Sequence, residues 1–395
     1  MTASFSRLQT LVRDFHSHAP SSPVNARKAV VILVHGLGGD RNDWMNPFQE
    51  RNWPYEHERK PEEQAMGVHG GPPIAKMPGL DTKYFFSPRF ASNALGADGS
   101  DDRSWWNALA AAGFTLFTYS EVAGLLMPLN QGPVAEFKRF MEALQKDVLS
   151  DSAYAARPVV ILAHSRGGLI SRAYLSDSEV KGDSAGRFPA VRGLITLSTP
   201  HQGSSMGLLD DRVIDFLNKV EKTVPDLPND FGDKLIATLK AKVDAYVGAT
   251  GDELEPDSPF FRAVAAQEPP KPGIRFISVG GTSSRFLRVY FWTFSPDSLL
   301  PRRGDDGKMA FHWKAIPIEA KGASPFPDGL PLKVLGLDLD EIIPGRGDGL
   351  VAEKRSHFPP AFKTEEHLPV ALSHAEELWN STLQAEIIKR LNTFA

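Results

Sequence analysis

A run of β-branched and apolar residues, Val159-Val160-Ile161-Leu162-Ala163, stops abruptly at His164-Ser165-Arg166-Gly167-Gly168. A serine between small residues at the end of such a run has the pattern of a nucleophile elbow, in which a buried strand turns sharply into a helix and lifts the hydroxyl out at the strand's C-terminal edge. The flanking residues must be small because the turn is strained and backbones pass close to it. Ala163 stands where the first glycine of the pattern usually is, and Gly167 supplies the second. Ser165 is therefore the candidate nucleophile. The competing reading is an ordinary strand-to-helix turn. Context favours chemistry, because Leu169, Ile170, Ala173 and Tyr174 follow at helical spacing, as an elbow requires.

A serine hydroxyl is a poor nucleophile unless a base lies within hydrogen-bond reach, a carboxylate orients that base, and donors await the oxyanion. Of eleven histidines, His374 in Leu-Ser-His-Ala-Glu-Glu-Leu-Trp lies between the last strand-like segment and a C-terminal helix, which makes it the candidate base. His367 and His357 are the alternatives. His16 and His18 belong to the N-terminal arm, His57, His69 and His312 to irregular stretches, and His201 precedes any suitable acid. His35 and His164 sit inside motifs with explanations of their own. The candidate acid is Asp348 in Gly-Arg-Gly-Asp-Gly-Leu-Val, where Gly347 and Gly349 permit a tight loop and Leu350 and Val351 anchor it. A Gly-Asp-Gly surface turn is the plainer reading, and Asp338 and Asp340 are the reserves. For the oxyanion, His35-Gly36-Leu37-Gly38-Gly39 ends an early strand, so the amides of Leu37 and Arg166 are the expected donors. His35 is expected to hold its loop by hydrogen bonding rather than to titrate.

The elements that must position these groups can be read from periodicity. Residues 29–35, 114–119, 158–163, 193–198, 274–279 and 367–372 are strand-like. Helices are predicted over 104–112, from Pro133 through Phe137, Met141, Leu144 and Val148, and over 376–391. Strands alternating with helices predict an α/β fold with a mostly parallel sheet covered on both faces. Three stretches interrupt the alternation within a single expected domain of residues 1–395. Residues 40–102 are rich in Gly, Pro, Asn and Trp. Residues 205–270 carry two amphipathic stripes, Leu209 to Val220 and Leu235 to Tyr246, and residues 283–345 carry Phe286, Tyr290, Phe291, Trp292 and Phe294 among prolines. All three would leave the sheet at strand C-terminal ends, where ligands bind in open α/β sheets, and are candidates for lid and pocket wall.

A chain of 395 residues, 42% hydrophobic, can bury a large core. Its net charge of -4 and lack of basic blocks argue against nucleic acid as a partner. Without cysteine there is no disulfide, thiolate metal site or cysteine nucleophile. No apolar run is long enough to span a membrane, and Met1 to Phe15 lacks the apolar core of a signal peptide. The chain as given is expected in the cytoplasm, or secreted if a leader has been removed. Its oligomeric state is left open.

Val-His-Gly-Leu-Gly-Gly, Ala-His-Ser-Arg-Gly-Gly, Leu-Ser-Thr-Pro-His-Gln-Gly-Ser at 197–204, Gly-Asp-Gly-Leu-Val and Ser-His-Ala-Glu-Glu, in that order, resemble the α/β-hydrolase superfamily, within it most of all the bacterial lipases and lipase-like serine carboxylesterases. The resemblance implies an α/β-hydrolase fold with lid insertions and hydrolysis of small-molecule or lipid esters by Ser165, His374 and Asp348 through an acyl-enzyme. The same triad would serve a thioesterase, amidase or acyltransferase. A binding protein on a decayed hydrolase fold is a third reading. No cofactor is required, although some such lipases hold a structural calcium near the histidine. Glu376, Asn380 and Asp328 are the candidate ligands for it here. His57 and His69 raise zinc more weakly, because their spacing fits no tight motif.

Overall fold

The computed structural model describes residues 8, 11–20, 28–36, 39–45, 104–121, 129, 132–205, 253–265 without 257, 272–283, four two-residue strands within 292–315, and 340–394 without 344 and 375. Strands β1 (Arg13–His18), β2 (Val30–Val34), β3 (Thr115–Ser120), β4 (Val159–His164), β5 (Val191–Leu197), β6 (Arg275–Gly281) and β7 (Glu366–Val370) form one sheet in the order β1-β3-β2-β4-β5-β6-β7. Every pairing is parallel except β1 with β3. The helices are α1 (Asn42–Met45), α2 (Trp105–Ala111), α3 (Pro133–Leu144), α4 (Arg166–Ser176), α5 (Ser178–Lys181), α6 (Pro259–Ala265) and α7 (Ser381–Leu391).

The central strands are continuous apolar strings because both their faces are covered. All of β2 is buried. Val30, Ile32 and Val34 point into one core layer with Val159, Ile161 and Ala163 of β4, where Phe137, Phe140 and Met141 of α3 and Leu169, Ile170 and Tyr174 of α4 meet them. The alternate residues Val31, Leu33, Val160 and Leu162 point the other way, onto Trp105, Trp106 and Leu109 of α2 and Leu383, Ile387 and Leu391 of α7. Each such side chain contributes about 1.5–3 kcal/mol on burial, so the sheet is a rigid platform for groups at its strand ends.

Local signals set the helix starts. The Ser104 side chain accepts from the Asn107 amide to cap α2, Pro133 opens α3, and Asn380 accepts from the Leu383 amide to cap α7. The predicted C-terminal helix over 376–391 is in fact a 3-10 turn, Glu376–Leu378, followed by α7, because Asn380 starts a fresh helix. β1 was not expected. It has a single large apolar side chain between polar ones, Phe15, which stacks on Phe117 of β3 with ring centroids 6.1 Å apart. A strand buried on one face at a sheet edge leaves only that weak trace.

Most of 40–102, both amphipathic stripes of 205–270, and the side chains of 284–339 lie outside the described residues. Within the latter two stretches the structure describes α6 and two short antiparallel pairs, Trp292–Thr293 with Lys314–Ala315 and Arg302–Arg303 with Met309–Ala310.

Candidate active site

Ser165 occupies the turn between β4 and α4 with φ 53° and ψ -129°. A non-glycine residue at positive φ costs of order 1–3 kcal/mol, so the surroundings must hold it there. Its N–H donates to the Leu197 carbonyl at 2.8 Å, and its carbonyl accepts from the Thr199 hydroxyl at 2.8 Å. The small neighbours are explained by direct contact. A Cβ on Gly167 would lie 2.4 Å from the His35 carbonyl oxygen and 2.6 Å from that of Val34. One on Gly168 would meet Thr199 Oγ1 at 2.0 Å.

Asp348 and His374 come together by two bonds. Asp348 Oδ2 is 2.8 Å from His374 Nδ1, and the His374 amide donates to the Asp348 carbonyl at 3.1 Å. The Asp348 side chain is fully buried, and its Oδ1 accepts from the amides of Leu350 at 2.8 Å and Val351 at 2.7 Å. Three hydrogen bonds to the charged form offset its loss of water. The loop depends on Gly349, whose φ is 100°, in the left-handed region that favours glycine. His374 in turn abuts the elbow. The His164 ring lies 4.6 Å from the His374 ring and donates from Nε2 to the His374 carbonyl at 3.1 Å. With Nδ1 held by Asp348, Nε2 is the His374 nitrogen left to take a proton.

The early-strand loop packs on the same turn, since a Cβ on Gly36 would be 3.0 Å from Ser165 Cβ. His35 Nε2 accepts from the Glu121 amide at 3.1 Å, which leaves Nδ1 to donate to the Gly36 carbonyl at 2.9 Å. This is the neutral ring in a single tautomer, used as a brace. Arg166 is the first residue of α4, so its N–H is one that a helix leaves without an internal partner. Its buried guanidinium pairs with Glu121 at 3.3 Å. Leu37, the other expected oxyanion donor, lies outside the described residues.

Glu377 was missed in the sequence. It is fully buried beside the acid, and a Cβ on Gly281 would touch both Asp348 Cβ at 2.6 Å and Glu377 Oε1 at 3.0 Å. Oε1 accepts from the Ser198 hydroxyl at 2.6 Å, while Oε2 has no partner among the described residues. Burial first, and the Asp348 charge second, push the Glu377 carboxyl well above the ordinary glutamate range, against the opposing pull of Ser198.

The other candidates among the described residues make contacts of their own. His201 is buried, stacks on Phe358 with centroids 3.8 Å apart and shares a 3.0 Å hydrogen bond with Thr196. Burial holds its pKa well below the usual histidine range. Asp340 pairs with Arg346 and Lys354, and Asp338 lies outside the described residues. His367 and His357, the alternative bases, both face Glu353. Of the calcium candidates, Glu376 Oε2 accepts from the Ser373 amide at 3.0 Å and Asn380 Oδ1 from the Leu383 amide at 2.9 Å, and Asp328 lies outside the described residues. His57 and His69 also lie outside the described residues.

Residues 126–239 match the model of the PGAP1-like alpha/beta domain family. No curated protein matches the chain in sequence. Among solved structures, the mature lipase BlEst2 of Bacillus licheniformis is 14% identical, with 95% of this chain and 97% of that one covered and a TM-score of 0.39. An esterase of Pyrococcus furiosus is 10% identical over 98% of this chain and 91% of its own, with a TM-score of 0.40. Esterase B of Lactobacillus Rhamnosis is 12% identical over 100% and 91%, with a TM-score of 0.37. Likeness that distant carries no argument about activity. The fold assignment rests on the chain itself, through the seven-stranded order, the antiparallel β1 and the strained serine after the central strand β4.

Proposed function

From the architecture of the α/β-hydrolase superfamily, which this chain has, we propose that the protein is a serine hydrolase of carboxylic esters with apolar acyl chains. The observation that carries the reading is the buried Asp348–His374 pair, 2.8 Å from Oδ2 to Nδ1, lying against a strained serine turn. In this reading Ser165 Oγ attacks the ester carbonyl as His374 Nε2 takes its proton, and Asp348 stabilises the imidazolium. The amides of Arg166 and Leu37 receive the oxyanion. Collapse of the tetrahedral intermediate breaks the C–O bond, and His374 returns the proton to the departing alkoxide, which leaves as the alcohol. Water then attacks the acyl-Ser165 ester, giving its proton to His374, and the carboxylic acid leaves as the serine is reprotonated. The aromatic residues of 283–345 support an apolar acyl group.

The test is hydrolysis of p-nitrophenyl esters from short to long acyl chains by the wild type and Ser165→Ala, with the Tm of both. The expected result is turnover lost in the variant at unchanged Tm, with an optimum beyond acetate. Turnover that survives the substitution would overturn the assignment of the nucleophile. Wild-type turnover of anilides or acyl thioesters but not of oxygen esters would overturn the choice of bond while keeping the triad.

A further inference from the structure

The geometry points to a binding site for one divalent transition-metal ion of the zinc class, held by Glu353, His357 and His367, outside the candidate active site. Each offers a ligand atom, and all three atoms lie within 4.8 Å of one another. Glu353 Oε1 is 2.8 Å from His367 Nε2 and 3.5 Å from His357 Nε2. Zinc bonds nitrogen and oxygen at about 2.0–2.2 Å, so in a tetrahedral site ligand atoms stand roughly 3.3 Å apart. These two edges bracket that value and the third is at most 4.8 Å, so an ion requires the shorter edge to open and the longer ones to close. The two rings lie face to face with centroids 3.5 Å apart, and His357, 42% exposed in its side chain, has the freedom to turn its nitrogen toward an ion.

The surroundings fit a metal ligand. Ser278 Oγ lies 2.7 Å from His367 Nδ1, the outer partner that fixes a coordinating imidazole, and a hydroxyl serves as donor or acceptor as the tautomer demands. Two imidazoles and one carboxylate suit zinc, nickel or cobalt rather than calcium or magnesium, which take oxygen ligands. Three protein ligands leave a fourth position for water.

The position gives the site a consequence. Glu353 follows the acid loop, which is closed by the Gly347–Ala352 bridge, and His367 lies on β7, the strand leading to His374. An ion there would clamp the segment carrying Asp348 to the strand preceding His374. This inference is independent of the ester reading, because binding is measured without turnover.

The test uses the chelator-treated full chain, titrated with zinc chloride against a chromophoric chelator and separately with cobalt chloride. His357→Ala and Glu353→Gln run in parallel. The wild type is expected to take one equivalent of zinc, to show the intense visible bands of tetrahedral cobalt, and to gain thermal stability with zinc. Each variant should bind at least tenfold more weakly and lose the bands. No zinc binding by the wild type, or equal affinity and stoichiometry in wild type and His357→Ala, would overturn the proposal.

Discussion

Replacing Glu377 with Gln should change how stability depends on pH far more than it changes stability at any one low pH. Glu377 and Asp348 are fully buried neighbours, and two carboxylates cannot both stay ionised in a dry site. Asp348 receives three hydrogen bonds that favour its charge, from Leu350, Val351 and His374, whereas Glu377 receives one, from Ser198. The proton therefore goes to Glu377, whose carboxyl is pushed well above its ordinary range by burial and then by Asp348. Its raised folded value means that the stabilising contribution is complete below the unfolded glutamate pKa and drains away as pH rises through the folded one. Between those limits the folded chain holds a proton that the unfolded chain has released, so unfolding free energy falls by about 1.4 kcal/mol per pH unit from this group alone. Gln at 377 is neutral throughout and removes that slope. Its second amide hydrogen, buried beside the site of the unpartnered Oε2, costs about 1–3 kcal/mol at every pH, which shifts the curve without tilting it. Urea unfolding of wild type and Glu377→Gln from pH 5 to 8 reads the difference directly. The variant should gain on the wild type as pH rises, and two parallel curves would show that Glu377 is ionised and the argument wrong.

Asp348→Asn should keep the fold but lower ester turnover by roughly 10⁴-fold, because the amide oxygen is needed by Leu350 and Val351, so NH₂ faces His374 Nδ1 and drives the proton to Nε2. An Asn variant within tenfold of wild-type kcat/KM would remove Asp348 from the reading. Gly167→Ala puts a methyl 2.4 Å from one backbone carbonyl and 2.6 Å from another, neither free to swing away. A loss of about 1–3 kcal/mol is expected in urea unfolding, with an unchanged m-value. An unaltered midpoint would mean that the elbow has more room than its backbone shows.

How much of this could be read from the residues in order depended on whether the constraint was local. The strings of β2 and β4 were legible because burial on both faces makes them almost wholly apolar, and those of β5 and β6 stood out despite Thr196 and Ser278 within them. The elbow was legible for a steric reason. Gly167 faces the carbonyls of β2 and its end, and no other residue type fits without movement. Asp348 was legible through Gly349, whose positive φ marks the loop. β1, a single-faced edge strand, was not. The two glutamates after His374 show the limit most clearly. Glu376 and Glu377 are adjacent and chemically identical, yet one caps a local amide, that of Ser373, and the other is buried beside Asp348 and bound to a serine 179 residues away. Nothing in the local pattern separates them, because what sets Glu377 apart is the return of β5 and β6 to the same corner of the sheet. The Glu353, His357 and His367 cluster was hidden for the same reason. His367 was a spare base until β7, pairing with β6, brought it to Glu353. Residues whose chemistry depends on strained backbone therefore announce themselves in sequence. Those whose chemistry depends on which strands end together do not, and around this site that second group includes the buried Glu377 carboxyl beside Asp348.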